Sequence, residues 1–156
     1  MTDIDEPHDL DEATLWRLHS TDLVRYATLL VGPLDAPDLV SGAFMRVVRS
    51  GRTIEQPRAY LMRAVTNAAA SQHRSQRRRQ VRDLHAVLPM AAAEYESQLD
   101  IRRAVAGLSV QQRAVVYFTF WEDLDSAQIG DVLGISPATV RRHLARARFH
   151  LRKVLS

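Results

Sequence analysis

There is no cysteine among the 156 residues. A disulfide framework, a zinc finger and a thiol nucleophile are thereby excluded. Lysine is nearly as scarce: of 21 basic residues only Lys153 is lysine, and the rest are arginine, whose planar fork suits phosphate better. The same bias points to a GC-rich genome. No apolar run approaches the about 20 residues of a membrane helix, since the longest, Val115 to Trp121, is interrupted by Thr119. No basic segment followed by an apolar core stands at the N-terminus, so a signal peptide is not expected and a cytoplasmic location is. A glycine-rich phosphate loop, a nucleophile elbow and a metal-ligand cluster are also missing. No catalytic residue, metal or cofactor is therefore assigned, and an enzyme is the least favoured class.

What is present is a folded composition, 46% hydrophobic and 25% charged, in a chain long enough for one ordinary domain or two small ones. The formal net charge of +3 conceals strong segregation. Residues 1 to 12 hold six acids and no Lys or Arg. Ser41 to Arg82 holds ten arginines against the single acid Glu55, and Pro137 to Lys153 holds six basic residues and no acid. Two separate basic blocks suggest two contacts with a polyanion.

The helical period dominates and no convincing strand alternation appears, so the expected fold is all-α. Leu15, Leu18, Leu23, Tyr26, Ala27 and Leu30 trace a first helix that ends at Gly32-Pro33. Asp38 can cap a second, with Leu39, Val40, Ala43, Phe44, Val47 and Val48 as its stripe and Gly51 as its end. Pro57 suits the first position of a third, whose buried side is Leu61, Ala64, Val65, Ala68 and Ala69. These three make one small domain over 12–80, behind an acidic tail at 1–11 that is expected to be disordered or to shield the basic surfaces. Periodicity fades over 81–98, which reads as a flexible linker. A second small domain, 99–156, opens with a short helix from Leu99 to Leu108. Ser109 and Gln112 then fit a capping box before a core helix.

The segment Asp125 to Leu155 reads as helix, tight turn, helix. Asp125 or Ser126 caps the first, Gly134 supplies a left-handed turn residue, and Ser136 with Pro137 starts the last. Val140, Leu144, Ala147 and Leu151 mark the buried face of that last helix, so Arg141, Arg142, Arg146 and Arg148 project elsewhere. A helix so placed suits a major groove, where arginine forks read guanine. An ordinary helical hairpin with a solvated basic face is the alternative, and the caps, the glycine turn and the one-sided charge together favour DNA. Trp16, Trp121, Tyr117 and Phe120 are expected in the core. His143 and His150, seven apart, lack a third ligand and are expected at the surface or beside phosphates.

The block LSVQQRAVVYFTFWEDLDSAQIGDVLGISPATVRRHLARARFHLRK resembles region 4 of sigma-70 family factors, especially the extracytoplasmic-function (ECF) group. Upstream, DAPDLVSGAFMRVVRS resembles region 2.2 and PRAYLMRAVTNAAASQHRSQRRR resembles regions 2.3 and 2.4. The resemblance covers nearly all of the chain beyond about residue 12, and with the arginine bias it suggests an actinobacterial source. It implies an alternative sigma factor that binds core RNA polymerase and directs promoter-specific initiation. Reading of the minus-thirty-five element would fall on Thr139, Arg141, Arg142, Ala145, Arg146 and Arg148. Asn67 matches the family asparagine beside the flipped base of the minus-ten element, and Arg58, Arg63 and Arg74 would hold phosphates. Asp38, Leu39, Ser41, Gly42, Phe44 and Arg46 would meet the clamp helices of the largest polymerase subunit, with the flap as a second polymerase contact. An anti-sigma factor is a further implied partner, and membrane insertion is not.

The sequence also departs from the family pattern. Ser41-Gly42 stands where a Gln-Glu or Gln-Asp pair is usual, Ser71 where an acid is frequent, and His73 where an aromatic is frequent. Core binding or melting is then expected to be weaker, or to depend on an accessory protein. One competing reading is accordingly a sigma-like protein that binds polymerase or DNA without initiating transcription. Another is a helix-turn-helix regulator of the two-component type, which lacks an account of the first basic block.

Overall fold

The computed structural model describes residues 11–80, 100 and 103–156. The acidic tail short of Asp11, the linker 81–98 and most of the expected Leu99 start lie outside the described residues. Every regular element among those described is helical. Helix α1, Glu12–Val31, begins where the Asp11 carboxylate accepts from the Thr14 amide at 2.7 Å, and ends at Gly32. Helix α2, Ala36–Arg49, starts earlier than the sequence reading placed it. Pro37 is the reason: its missing N–H falls among the unpaired donors of a first turn, so the helix forms around it and Asp38 lies inside rather than at the cap. Helix α3 runs Pro57–Gln80.

After a helical turn at 103–106 come α4, Val110–Phe120, α5, Ser126–Leu133, and α6, Pro137–Leu155. The Ser109/Gln112 capping box forms as expected, and a second one, Asp125/Gln128, opens α5. Ser136 accepts from the Thr139 amide at 3.1 Å to start α6.

Helices α1, α2 and α3 pack mutually into a bundle, and α4, α5 and α6 do the same. The two units do not stand apart. Helix α3 lies against α4 and α5, and α1 lies against α4, so one continuous hydrophobic core runs through both. Tyr26 of α1 is at its centre. Its ring meets Tyr117 at 4.8 Å and Phe118 at 5.2 Å, both from α4. Its hydroxyl pairs with the Thr66 Oγ1 at 2.6 Å, and because that hydroxyl donates to the Met62 carbonyl, Tyr26 is the donor. Burial raises the Tyr26 pKa far above its ordinary value, so the phenol stays neutral. Thr66 and Met62, absent from the expected α3 stripe, are both fully buried because α3 is covered on two sides.

Among the aromatics expected in the core, Tyr117 is buried and Trp16 packs edge-on against Phe44 at 5.0 Å. Trp121 and Phe120 are corrections, at 67% and 63% exposed. They fall where α4 ends, Phe120 as its last residue and Trp121 as its cap. The histidines depart in the other direction. His150 Nε2 pairs with the Ala104 carbonyl at 3.1 Å, and His143 is half-buried with Nδ1 unpartnered among the described residues. Burial, then Arg142 and Arg146, hold the His143 pKa below its ordinary value.

Candidate nucleic-acid interface

The tight turn of the helix-turn-helix rests on two glycines. Gly134 adopts the left-handed conformation at φ 69° and its amide bonds to the Gly130 carbonyl at 2.8 Å, closing α5. Gly130 is buried inside α5, and a Cβ there would meet the Ile135 carbonyl oxygen at 2.6 Å. The chain can reverse this closely only because position 130 has no side chain. The sequence reading used Gly134 and missed Gly130, whose signal was a glycine in an otherwise apolar helix stripe.

This turn sets α6 across α5 with Val140 and Ala147 fully buried. Arg141, Arg142, Ala145, Arg146 and Arg148 are all exposed, as the stripe predicts, and none of the arginines has a carboxylate within 4.0 Å among the described residues. Arg148 lies over the exposed Phe120 ring, 5.7 Å from its centre. Thr139 is half-buried, with its hydroxyl 2.9 Å from that of Ser136 at the helix start. The N-terminal half of α6 therefore carries uncompensated arginine forks on a rigid element, the arrangement that phosphate and guanine contacts require.

The second basic block is organised differently. Arg63, Asn67 and Arg74 are exposed and recur along one stripe of α3. An open cavity of about 580 Å³ between α2 and α3 is lined by Arg46, Arg52, Tyr60, Arg63, Asn67 and Ser71. It combines cationic forks, an aromatic ring and an amide, a set able to hold a stacked base and its phosphates. Arg46, expected at the polymerase face, lies on this cavity as well.

Arg58 is not on that stripe. Its guanidinium turns towards α1 and the end of α4, donating to both carboxylate oxygens of Glu122 at 2.6 and 3.3 Å, with Asp22 at 3.7 Å. The Tyr117 hydroxyl also donates to Glu122, at 3.2 Å. The hydrogen bond from Arg58 holds the Glu122 carboxyl below its ordinary value, and burial followed by the Glu122 charge pushes the Tyr117 phenol up to about 12. The expected phosphate ligand Arg58 is thus occupied by a carboxylate from the other half of the molecule.

The expected polymerase-docking residues also divide. Asp38, Ser41, Gly42 and Arg46 are exposed on α2, whereas Leu39 and Phe44 are buried in the core and hold α2 in place instead of reaching out. Met45, not singled out from the sequence, is exposed beside Ser41 in a shallow apolar depression with Trp16. Gly42 and Ser71, which departed from the family pattern in different segments, line one groove of about 510 Å³ between α2 and α3. Among the described residues no group of His, Asp or Glu could hold a metal ion, and no helix is long and apolar enough to cross a membrane.

Comparison with known proteins places both halves. The Sigma-70 region 2 family matches residues 15–79 and the Sigma-70 region 4 family matches residues 98–151. The ECF RNA polymerase sigma factor SigM of Mycobacterium tuberculosis is 30% identical over 147 residues, covering 90% of this chain and 75% of that protein. The RNA polymerase sigma-E factor of Streptomyces coelicolor is 31% identical over 146 residues, covering 89% and 82%. In fold, the chain is similar to the sigma factor RpoE of Bartonella quintana, solved in complex with the anti-sigma factor NepR. The TM-score is 0.67 at 21% identity, over 90% of this chain and 93% of that one. Two regions in this order on one chain, an all-helical fold and relatives matched over most of their length have one meaning: the chain belongs to the sigma-70 family of RNA polymerase sigma factors, in its ECF group.

Proposed function

We propose that this sigma factor reads its promoter with two surfaces divided at the boundaries 12–80 and 99–156. Arg141, Arg142, Ala145, Arg146 and Arg148, with Thr139 at the helix start, read the minus-thirty-five element. The cavity around Asn67 takes an unstacked base of the minus-ten element, with Arg63 and Arg74 on the flanking phosphates. Arg58 joins them once it is released from Glu122. Melting is unfavourable by several kcal/mol, which capture of the single strand must offset. The observation that carries this reading is the pairing, in one chain, of an open arginine-bearing recognition helix with a separate cationic cavity built around an asparagine.

Asp38, Ser41, Gly42, Met45 and Arg46 form the face offered to the clamp helices. The exposed Phe120, Trp121 and Phe149 are among the apolar residues offered to the flap. The factor works in the cytoplasm, carries out no chemistry of its own, and by analogy with the Bartonella protein has an anti-sigma partner. The test is in vitro transcription with core polymerase from the source organism on its own promoter region. A specific transcript appearing only when the chain is added is expected.

A second reading has its own observation. Gly42 and Ser71 share one groove, so that a single face lacks the side chains usual at both positions. In this reading the chain occupies polymerase without initiating. Polymerase binding with no transcript from any promoter fragment would favour it.

A further inference from the structure

Arg52, in the loop between α2 and α3, borders two different hollows. One is the cationic cavity that holds Asn67, and the other is an apolar trough of about 280 Å³ beside the start of α1. Phe44, Val47 and Leu61 are buried beneath the trough, whereas Leu15, Val48 and Ile54 along it are only half-buried. Asp11 and Glu12 line it as well. Arg52 and its neighbour on the cavity, Arg46, are exposed, and neither has a carboxylate within 4.0 Å among the described residues. An open apolar trough leading to unpaired arginines suits a segment that carries both apolar and acidic side chains.

The sequence immediately before Asp11 has that composition. Residues 1–10, MTDIDEPHDL, lie outside the described residues; they set Ile4 and Leu10 among Asp3, Asp5, Glu6 and Asp9, with no Lys or Arg. Asp11 caps α1 by accepting from the Thr14 amide, which makes Leu10 the residue before the cap and Leu15 the fourth of the helix. Apolar residues at those two positions pack on one another and fix the direction in which a chain enters its helix. Because Leu15 lines the trough, a contact between the two would lay the acids before Leu10 along it towards Arg52. The reach suffices, since Asp3 to Asp11 spans up to about 26 Å when extended.

We propose that residues 3–10 of this chain dock in the trough, with Leu10 against Leu15 and the acids paired with Arg52 and Arg46. They then occupy the rim of the Asn67 cavity until a nucleic-acid strand displaces them. The docking stands on the trough itself, and its consequence for DNA rests on the reading of that cavity as the minus-ten site. A carboxylate accepting from an arginine fork takes the place of a phosphate. Tethering at Asp11 keeps the segment at a local concentration in the millimolar range, so one apolar anchor and a few exposed ion pairs hold it. Those pairs are weak and screened by salt, and they exchange readily for the denser charge of a nucleic-acid backbone.

The chain has no cysteine, so Thr2→Cys gives the full-length protein a single site for a nitroxide label. In NMR spectra of the free factor the label should broaden the amides of Gly51, Arg52 and Thr53 and spare those of Arg152 and Lys153. Broadening should vanish at about 0.5 M salt, and also when Asp3→Asn, Asp5→Asn, Glu6→Gln and Asp9→Asn are combined. Leu10→Ser, which keeps every charge, should reduce it too. At low salt the charge variant and Leu10→Ser should both bind a short mixed-sequence single-stranded DNA several-fold more tightly than the parent. Broadening that neither variant changes would overturn the docking. So would broadening that appears between labelled chains and isotope-enriched chains lacking the label, because the occupant would then be a second copy. Tighter DNA binding by the charge variant alone would reduce the effect to long-range repulsion and equally overturn it. Broadening abolished in both variants with no gain in DNA binding would uphold the docking and remove the minus-ten reading of the cavity instead.

Discussion

The two arginine-bearing helices of this sigma factor differ in what their arginines meet. On α6 the arginines point into solvent with no carboxylate within reach among the described residues. On α3, Arg58 is held by Glu122 and Arg63 lies against Gly134. An unpaired arginine is ready for phosphate, whereas a paired one must first exchange a carboxylate for it. Basic composition therefore locates a nucleic-acid surface without saying whether that surface is available.

The largest expected effect tests whether the two surfaces belong to one cooperative body. Phe118→Ala removes a fully buried ring that α4 packs against Tyr26 of α1, and should destabilise by about 3–5 kcal/mol. Thermal unfolding should remain a single transition shifted downwards. Two separated transitions, with only one moved, would show the halves to be independent and end the comparison.

Next in size, Arg141→Ala and Arg142→Ala should each weaken minus-thirty-five binding by about 1–3 kcal/mol and reduce the salt dependence, since nothing in the protein competes for them. Equal promoter selectivity for parent and variants in footprinting would remove that assignment.

Acid should act on the contact between the halves. The Glu122 carboxyl is held low chiefly by the Arg58 hydrogen bond, so its contribution is complete above its ordinary value of 4.5 and is lost as pH falls through its lowered folded value. His143 and His19 are both held low chiefly by burial. As bases they are kept neutral in the fold while the unfolded chain takes up protons near 6.5, so stability declines as pH falls below that value. Denaturant midpoints should drop gently from about pH 6.5 and again below about 4.5. Glu122→Gln should shrink only the second step, to which the Asp11 carboxyl, held low by its hydrogen bonds from Thr14, also contributes, and an undiminished step in that variant would mean another carboxylate is responsible.

The smallest effect concerns the clamp face. A Cβ on Gly42 would meet nothing within 4 Å, so Gly42→Ala should stabilise α2 by roughly 0.5–1 kcal/mol through helix propensity alone. The paired change Ser41→Gln with Gly42→Glu should raise affinity for core polymerase. Unchanged affinity in a pull-down titration would show that the groove shared by Gly42 and Ser71 is not part of the docking face.

Much of this was legible from residue order. Asp125, Gly134, Ser136 and Pro137 state the start, turn and restart of the helix-turn-helix in local chemistry, and the stripe from Val140 to Leu151 decides which way the α6 arginines face. Gly130 was less legible, because its requirement comes from the backbone of the next segment, at Ile135. Trp121 and Phe120 were misread because hydrophobicity marks what can be buried, and exposure depends on where the covering helices stop. Arg58 is given a phosphate by the family resemblance, and nothing near it in sequence announces a carboxylate partner. Its partner lies 64 positions away.

Sequence alone determined the helical fold, the caps of the helix-turn-helix, the membership of two sigma regions and the outward face of the recognition helix. Each of these is settled by interactions within a few residues or by a period along one helix. Only the tertiary structure decided that α1 and α3 are buried against α4, that Tyr26 centres a shared core, and that Glu122 holds Arg58. Contacts between distant segments depend on complementary shape and charge, which no local pattern records.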